Sequence, residues 1–240
     1  MSDNRRILVF SPAYNEEETV GNVVREVMKT YPNFDMIVVD DGSEDRTRFE
    51  AEVAGANVVS LPFHTGGTTA VMLAYLVAIN KGYDFLVKID ADGQHKVEDI
   101  QRILKPVLSG EADISVGSRY LTNNAEEDSS VKIAGRVFSS YVLSRFLKNS
   151  VVTDTTCGFR AWNRKALIIL LDEYFNSRRL PVDSVLWLVE TIISNKKCLK
   201  IKEVPIEVLP RSHSYSKSFS PSKMLLYPVR FLLTLIEAST

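Results

Sequence analysis

Cysteine is scarce in this chain of 240 residues, and neither sign of charge dominates it. Only Cys157 and Cys198 are present, too few for a disulfide framework, which is typical of proteins in a reducing compartment such as the cytosol. Lys and Arg number 29 against 30 Asp and Glu, so the formal net charge is −1. A chain without excess positive charge has no general attraction to nucleic acid. We therefore expect no nucleic-acid partner, and any basic site must be local.

Long apolar runs are also missing. Residues 1–6 are polar and basic without the apolar stretch of a secretory signal, which favours a cytoplasmic location. The longest apolar run, 224–236, contains Pro228 and Arg230 and is shorter than the roughly 20 residues needed to span a bilayer. Together with Lys223, Arg230 supplies positive charge for anionic headgroups. We expect residues 221–240 to form an interfacial or partner-docking helix, with an ordinary packed helix as the alternative.

The signatures of several common ligand sites are absent as well. No Gly-rich dinucleotide fingerprint follows the first apolar run, and no phosphate-binding loop with Lys and Ser or Thr is found. No group of His and Cys has the spacing of a zinc site. With 45% hydrophobic residues, the chain can still build one large core or two fused lobes.

Alternating strand and helix patterns fill the first half of the chain. Short apolar runs predict strands, and apolar residues at helical spacing predict the helices between them. The predicted strands are residues 7–10, 36–39, 57–61, 85–89 and 114–116, and the helices lie around 20–31, 70–78 and 100–108. This alternation predicts a parallel α/β sheet with right-handed crossovers. After a polar loop at 121–130 the pattern weakens, with helices expected at 131–147 and 183–194 and extended segments at 198–210.

Polar clusters follow four of the predicted strands. They read SPAYNEEE, DDGS, DADGQH and GSRY. Helix capping by Asp41 or Ser43 could explain one cluster, but in an open parallel sheet the carboxyl ends of the strands form the ligand crevice. Four clusters on that edge therefore indicate a binding site. The pair Asp90 and Asp92 offers oxygen ligands to a hard divalent cation that also binds phosphate.

Six segments together resemble glycosyltransferase family 2, whose members have the GT-A fold. They are SPAYNEEE, VVDDGSEDRT, DADGQH, GSRY, DTTCGFRAW and RSHSYSK. Their order and spacing are most similar to the branch of dolichol-phosphate mannose synthase and polyprenyl-phosphate sugar transferases, over about residues 5–217. The resemblance implies a Rossmann-like, mostly parallel sheet flanked by helices. It also implies a metal-dependent hexosyltransferase that uses Mg²⁺ or Mn²⁺.

The same resemblance implies roles for particular residues. The nucleotide sugar would be bound by Pro12, Tyr14, Glu16, Asp40, Asp41, Asp90, Asp92, Gln94, Arg211 and Lys217. Among these, Asp41 would contact the base, and Asp90 and Asp92 would hold the metal. The acceptor would be bound by Arg119, Arg136, Ser140 and Arg160, and the catalytic residues would be Asp92, Asp154, Arg119 and Arg136.

Two positions differ from the usual pattern of the family. The family usually has Asn-x-Gly-Lys-Gly where this chain reads HTGGT from His64, so a lysine of the donor pocket is missing. Glycine is usual where Ser214 stands. Both differences bear on the shape of the donor pocket and hence on which sugar it accepts.

The acceptor class follows from a count of cations. Five candidates, Arg119, Arg136, Arg160, Arg211 and Lys217, exceed what one diphosphate requires, and a phosphomonoester needs orientation by arginines more than deprotonation. We therefore favour inverting transfer from a UDP- or GDP-sugar to undecaprenyl or dolichyl phosphate. One alternative is a glycan hydroxyl acceptor with Asp154 as general base. Another is a non-catalytic subunit that binds nucleotide sugar.

These interpretations define an expected organisation of the chain. Residues 1–220 would form the GT-A domain, with a nucleotide-sugar half at about 1–120 and an acceptor half at about 131–220. Because a polyprenyl phosphate presents its headgroup at the bilayer surface, we expect a peripheral protein on the cytoplasmic face of a membrane. It would bind there directly or through a membrane partner subunit.

Overall fold

A computed structural model describes residues 5–121, 152–154, 157–176 and 186–209. The strands are β1 (Ile7–Ala13), β2 (Asp35–Asp40), β3 (Asn57–Ser60), β4 (Phe85–Lys88), β5 (Ile114–Ser118), β6 (Arg160–Asn163) and β7 (Ile201–Pro205). The helices are α1 (Val20–Thr30), α2 (Thr47–Val53), α3 (Gly67–Asn80), α4 (Asp99–Leu108), α5 (Arg164–Asn176) and α6 (Leu186–Lys196), and a 3-10 turn covers Arg119–Leu121.

The strands described form one mixed sheet in the order β3-β2-β1-β4-β6-β5-β7. Every neighbouring pair is parallel except the two that involve β6, which runs antiparallel to both β4 and β5. Strand β6 therefore enters the sheet at the edge where β4 and β5 end. This topology carries residues 157–160 to the carboxyl edge of the parallel strands.

Helices cover both faces of the sheet, which explains the continuous apolar runs of its central strands. On β1, Ile7 and Val9 pack with α1 and α4 on one face. Leu8 and Phe10 pack with α3, α5 and α6 on the other. Because successive side chains of a strand point to opposite faces, a strand between two helical layers must be apolar at every position.

The five strands and three helices predicted in the first half are confirmed, with shifts of a few residues at their ends. The helix predicted at 183–194 is present as α6, and the extended segment after 198 contains β7. Strand β6 and helices α2 and α5 were not predicted, and β6 makes the sheet mostly rather than wholly parallel. The predicted helices at 131–147 and 221–240 lie outside the described residues, as does the predicted domain division at 121–130 beyond its first residue, Leu121.

A helix needs roughly 20 predominantly apolar residues to cross a bilayer. None of the helices in the described ranges combines the length and the apolar character needed to cross a bilayer.

Candidate active site

The carboxyl edge of the sheet brings the polar clusters together. Strands β1, β2, β4 and β5 point the same way, so the segments that follow them share one edge. Strand β6 begins at this edge, where Arg160 pairs in register with Lys88 on β4 and with Val116 on β5. Residues 157–159 therefore lie between the DADGQH segment and Arg119.

Hydrogen bonds join the segment after β1 to the segment after β2. Ser43 Oγ accepts from the backbone N–H of Asn15 (2.9 Å), and Thr47 Oγ1 accepts from that of Glu16 (2.7 Å). In return, Asn15 Oδ1 accepts from Glu44 N–H (2.8 Å). Asn15 adopts a φ of 54°, a left-handed conformation that Asn tolerates better than most residues. The two predicted nucleotide-binding segments thus form a single wall.

Asp41 lies in this wall, but its carboxylate faces the loop that leads into α3. Its Oδ1 accepts from the N–H and the hydroxyl of Thr65 (2.8 and 2.7 Å), and its Oδ2 accepts from Gly66 N–H (2.8 Å). His64 Nδ1 lies 2.9 Å from Oδ2, and the Asp41 side chain is only 4% exposed. Asp41 therefore holds the 64–66 loop in place. Asp40 beside it accepts from Ser43 N–H (3.0 Å) and is also buried.

The 64–66 loop, which Asp41 holds in place, also packs against the SPAYNEEE segment that follows β1. The rings of Tyr14 and His64 stack with their centroids 3.8 Å apart. Gly42, with a φ of +71°, lies so close that an added Cβ would be 2.6 Å from the backbone nitrogen of His64. The stacking joins His64, one of the positions at which the chain differs from the usual family pattern, to the segment after β1.

The first carboxylate of the Asp90–Asp92 pair is already engaged by a lysine and a histidine. Asp90 Oδ1 pairs with the ammonium of Lys88, which is buried at the end of β4, and Oδ2 lies 3.2 Å from His95 Nε2. Burial would raise the pKa of Asp90, but Lys88 and His95 outweigh it and hold that pKa well below its usual range. Gly158 packs against this group, since an added Cβ would lie 2.5 Å from Lys88 Nζ.

Lys88 and His95 were not singled out from the sequence. The available signal was the one charged residue in the apolar run FLVKI, which a strand buried on both faces tolerates only when the charge is paired.

Asp92 and Gln94 occupy the turn after β4. Asp92 Oδ1 accepts from Gln94 N–H (3.1 Å). Gln94 in turn is bonded to the segment after β7, because its carbonyl accepts from Leu209 N–H (2.8 Å) and its side-chain amide donates to Leu209 O (3.2 Å). The predicted donor residue Arg211 follows Leu209 by two positions in the sequence.

The carboxylates of the DADGQH segment are the candidate ligands for a divalent cation. No group of three or more His, Cys, Asp or Glu side chains in the described part of the chain is arranged to hold a metal. Asp90 is paired with Lys88 and His95, and Asp92 lies in the turn that follows β4. Mg²⁺ is commonly bound by one or two carboxylates together with substrate phosphates. Asp92 fits that mode, in which most ligands come from the substrate.

Arg119 and Asp154, predicted as separate catalytic residues, form one ion pair. Arg119 Nε and Nη2 donate to the two oxygens of Asp154 (2.8 and 3.0 Å), and Arg119 N–H also points to Oδ2 (3.3 Å). The Asp154 side chain is 1% exposed and that of Arg119 is 35% exposed. Burial would lower the pKa of Arg119, but the bonds and charge of Asp154 outweigh it and raise that pKa. The guanidinium is therefore a fixed, permanent positive charge at the edge of the cleft.

Arg160, predicted to bind the acceptor, is not at the surface. Its side chain is 0% exposed, Nη1 donates to Glu190 (3.0 Å), and Nε donates to Cys157 O (3.0 Å). Glu190 also accepts a hydrogen bond from the Tyr75 hydroxyl, and burial raises the pKa of Glu190. Arg160 thus ties β6 to α6 inside the core, and the structure does not bring it to the acceptor side.

The remaining predicted residues divide into two groups. Pro12 pairs in register with Val39, and Glu16 accepts from Thr19 at the start of α1, so both lie in the wall described above. Arg136, Ser140, Arg211 and Lys217 lie outside the described residues.

Comparisons with known proteins agree with the family resemblance of the sequence. The family model for Glycosyl transferase family 2 matches residues 8–170. The chain is 34% identical over 172 residues to polyprenol monophosphomannose synthase of Mycolicibacterium smegmatis, an alignment that covers 68% of this chain and 63% of that protein. It is 30% identical over 240 residues to UDP-N-acetylglucosamine–dolichyl-phosphate N-acetylglucosaminyltransferase of Methanococcus voltae, covering 89% and 90%.

Solved structures also resemble the chain. Glucosyl-3-phosphoglycerate synthase of Mycobacterium tuberculosis, in complex with Mn²⁺, uridine diphosphate and phosphoglyceric acid, has a TM-score of 0.74 at 20% identity. That match covers 98% of this chain and 78% of the other. At this identity the likeness concerns the fold.

Proposed function

Because this chain belongs to glycosyl transferase family 2 and has the GT-A fold, we propose that it transfers a sugar from a UDP- or GDP-sugar to a polyprenyl phosphate with inversion at the anomeric carbon. The names of two relatives state a polyprenol or dolichyl phosphate product or acceptor. Transferase activity follows from the family. The donor and the acceptor are the proposed part.

The observation that carries the acceptor class is the burial of Asp154 against Arg119. A hydroxyl acceptor requires a general base within hydrogen-bond reach of its proton. Asp154, the candidate base, is 1% exposed and bonded to a guanidinium through both oxygens. A phosphate acceptor requires no such base, because its second pKa is near ~6 and it is largely ionised at neutral pH. Asp154 is therefore better suited to orienting Arg119 than to accepting a proton.

The proposed step replaces one bond at the anomeric carbon with another. An oxygen of the acceptor phosphate attacks the anomeric carbon, and the bond from that carbon to the β-phosphate oxygen breaks. The nucleoside diphosphate leaves with the electron pair, and no proton is transferred when the acceptor is a dianion. Arg119, a fixed cation with a partly exposed side chain, would hold the acceptor phosphate in line with the anomeric carbon.

On the donor side, the wall built by Tyr14, Asp41 and their neighbours would bind the nucleoside. Asp92 would hold the divalent cation together with the donor phosphates, and the cation when bound would stabilise the negative charge of the departing diphosphate. Asp90 is held by Lys88 and His95, which favours a role facing the ribose over a role as a direct metal ligand. Asp41 would act on the nucleoside chiefly by fixing the 64–66 loop.

The predicted residues outside the described ranges keep the roles that the resemblance implies. Arg136 and Ser140 would complete the phosphate site beside Arg119, and Arg211 and Lys217 would close over the diphosphate. The bonds between Gln94 and Leu209 support the second assignment, because Arg211 follows Leu209 by two positions in the sequence.

A lipid-linked acceptor also requires access to the bilayer surface. We expect peripheral membrane association in which Lys223 and Arg230 contact anionic headgroups. Co-sedimentation with vesicles of anionic lipid tests this in the full chain against a Lys223→Glu, Arg230→Glu variant. Equal binding of the two forms, or no binding of either, would contradict the role of these charges.

A product screen tests the proposed function as a whole. The full chain is incubated with radiolabelled UDP-glucose, UDP-N-acetylglucosamine or GDP-mannose and Mn²⁺, with either a polyprenyl phosphate or an oligosaccharide as acceptor. We expect a lipid-extractable product whose sugar is released by mild acid, as a glycosyl phosphate is and a glycoside is not. Chelator should abolish the product. Acid-stable transfer to the oligosaccharide, with none to the lipid phosphate, would show that the acceptor is a hydroxyl.

A further inference from the structure

Glu203 makes an unusual set of contacts in the middle of β7. Its Oε1 accepts from the backbone N–H groups of both Thr153 and Asp154, each at 2.8 Å, and its Oε2 accepts from Thr153 Oγ1 at 2.9 Å. One carboxylate thereby binds three donors from two consecutive residues. Because two of the donors are main-chain groups, Glu203 fixes the backbone of this short segment as well as one side chain.

Two routes lead from this segment to Arg119. Asp154 binds the guanidinium through both carboxylate oxygens. Thr153 Oγ1 lies 3.0 Å from the hydroxyl of Ser118, the residue that precedes Arg119 at the end of β5. Both the side chain and the backbone of Arg119 are therefore connected to Glu203, although the three segments are far apart in the sequence.

We propose that Glu203 is a positioning residue for the acceptor phosphate. It holds residues 153–154 so that Asp154 presents the guanidinium of Arg119 to the cleft. A carboxylate suits this task because it is an acceptor only and offers about four lone-pair sites. The proposal rests on the proposed function, since it takes Arg119 to be the residue that meets the acceptor.

Three variants separate positioning from general stability. Glu203→Ala should raise the acceptor KM about tenfold, the change that corresponds to one charge-assisted hydrogen bond of about 1.4 kcal/mol. The kcat and the donor KM should change less than about twofold, because the donor wall does not contact Glu203. Glu203→Gln should restore the acceptor KM, since its amide oxygen can accept from both N–H groups while its NH₂ donates to Thr153 Oγ1. Glu111→Ala is the matched control, because Glu111 pairs with Lys202 on the same strand but does not contact residues 153–154.

A double-mutant cycle tests whether Glu203 acts through Arg119. If it does, the acceptor KM of the variant with both Glu203→Ala and Arg119→Ala should equal that of Arg119→Ala alone. Multiplication of the two effects, or an equal fall in kcat for every acceptor and donor, would overturn the proposal. Should Glu203→Ala fail to fold, Glu203→Asp takes its place, because its carboxylate is one methylene too short for all three bonds.

The choice of acceptor separates this proposal from the proposed function. The cycle is measured with farnesyl phosphate and, in parallel, with an oligosaccharide. Transfer only to the oligosaccharide contradicts the proposed lipid-phosphate acceptor, whereas transfer to farnesyl phosphate without coupling in the cycle contradicts only the role of Glu203. Melting curves supply a readout that needs no turnover, since the stability losses of Glu203→Ala and Asp154→Ala should be less than additive. Additive losses in melting temperature would overturn the coupling even if the chain transferred to neither acceptor.

Discussion

Asp154→Asn distinguishes an orienting carboxylate from a general base. Asparagine has nearly the same shape as aspartate but carries two N–H donors where aspartate has an acceptor. In the native pair, Arg119 Nε lies 2.8 Å from Asp154 Oδ2 and Nη2 lies 3.0 Å from Oδ1. In the variant, the amide oxygen can still accept from Nε, but the NH₂ group would face Nη2. The bidentate pair would become a single bond, and the guanidinium would lose its fixed plane.

These contacts determine how much the acceptor KM should rise in the Asp154→Asn variant. A hydrogen bond to a charged group contributes about 1.5–3 kcal/mol, and the 35% exposure of Arg119 places this pair at the low end. Because about 1.4 kcal/mol corresponds to a factor of ten, we expect the acceptor KM to rise about tenfold with little change in kcat. Removal of a true general base would instead lower kcat by about 100- to 10,000-fold.

The assay compares kcat and the acceptor KM of both forms with a polyprenyl phosphate, from acidic to neutral pH. Asp113→Asn is the matched control, because Asp113 is also a largely buried carboxylate paired with a cation, Lys165, but lies at the other end of β5. That variant should lose stability without a change in acceptor KM. A loss confined to kcat, together with the disappearance of an acidic limb in the pH profile, would identify Asp154 as the base and refute the orienting role.

Three further substitutions test other parts of the site. Asp92→Ala should lower the rate of transfer by orders of magnitude. It should also abolish the Mn²⁺-dependent rise in melting temperature with nucleotide, while the melting temperature of the free chain stays the same. Near-normal turnover of the variant in chelator would contradict the metal assignment. Asp41→Asn should lower the free energy of unfolding by about 1–3 kcal/mol and weaken donor binding, because an amide N–H would face Gly66 N–H; unchanged urea denaturation would count against the loop-holding role. Glu190→Ala should lower the free energy of unfolding by about 3–5 kcal/mol, since Arg160 would be left as a buried unpaired charge. A small loss of stability combined with a raised acceptor KM would instead support a role for Arg160 in acceptor binding.

Local patterns were sufficient to predict most of the chain's α/β framework. The runs that form β1, β2, β4 and β5 are apolar at nearly every position, because a strand between two helical layers is buried on both faces. Parallel strands bring their carboxyl ends to one edge, so polar residues directly after them were expected to meet. The contacts between the segments after β1 and β2 bear this out.

Strand β6 was beyond the reach of such patterns. Its four residues, RAWN, begin and end with a polar side chain, so they do not form the apolar run by which the other strands were predicted. Its direction and its place between β4 and β5 come from hydrogen bonds to strands far away in the sequence. That placement is what brings Gly158 against Lys88 and Asp90.

The sequence by itself determined which residue types surround the cleft, and the tertiary structure decided which of them bind one another. Asp154 and Arg119 are 35 positions apart, and they form a pair only because the fold brings the two segments into contact. Asp41 and Arg160 were both expected to face a ligand, yet their charges are compensated by the 64–66 loop and by Glu190. The physical reason is that a buried charge must find a partner, and the partner depends on which distant segments the fold brings into contact.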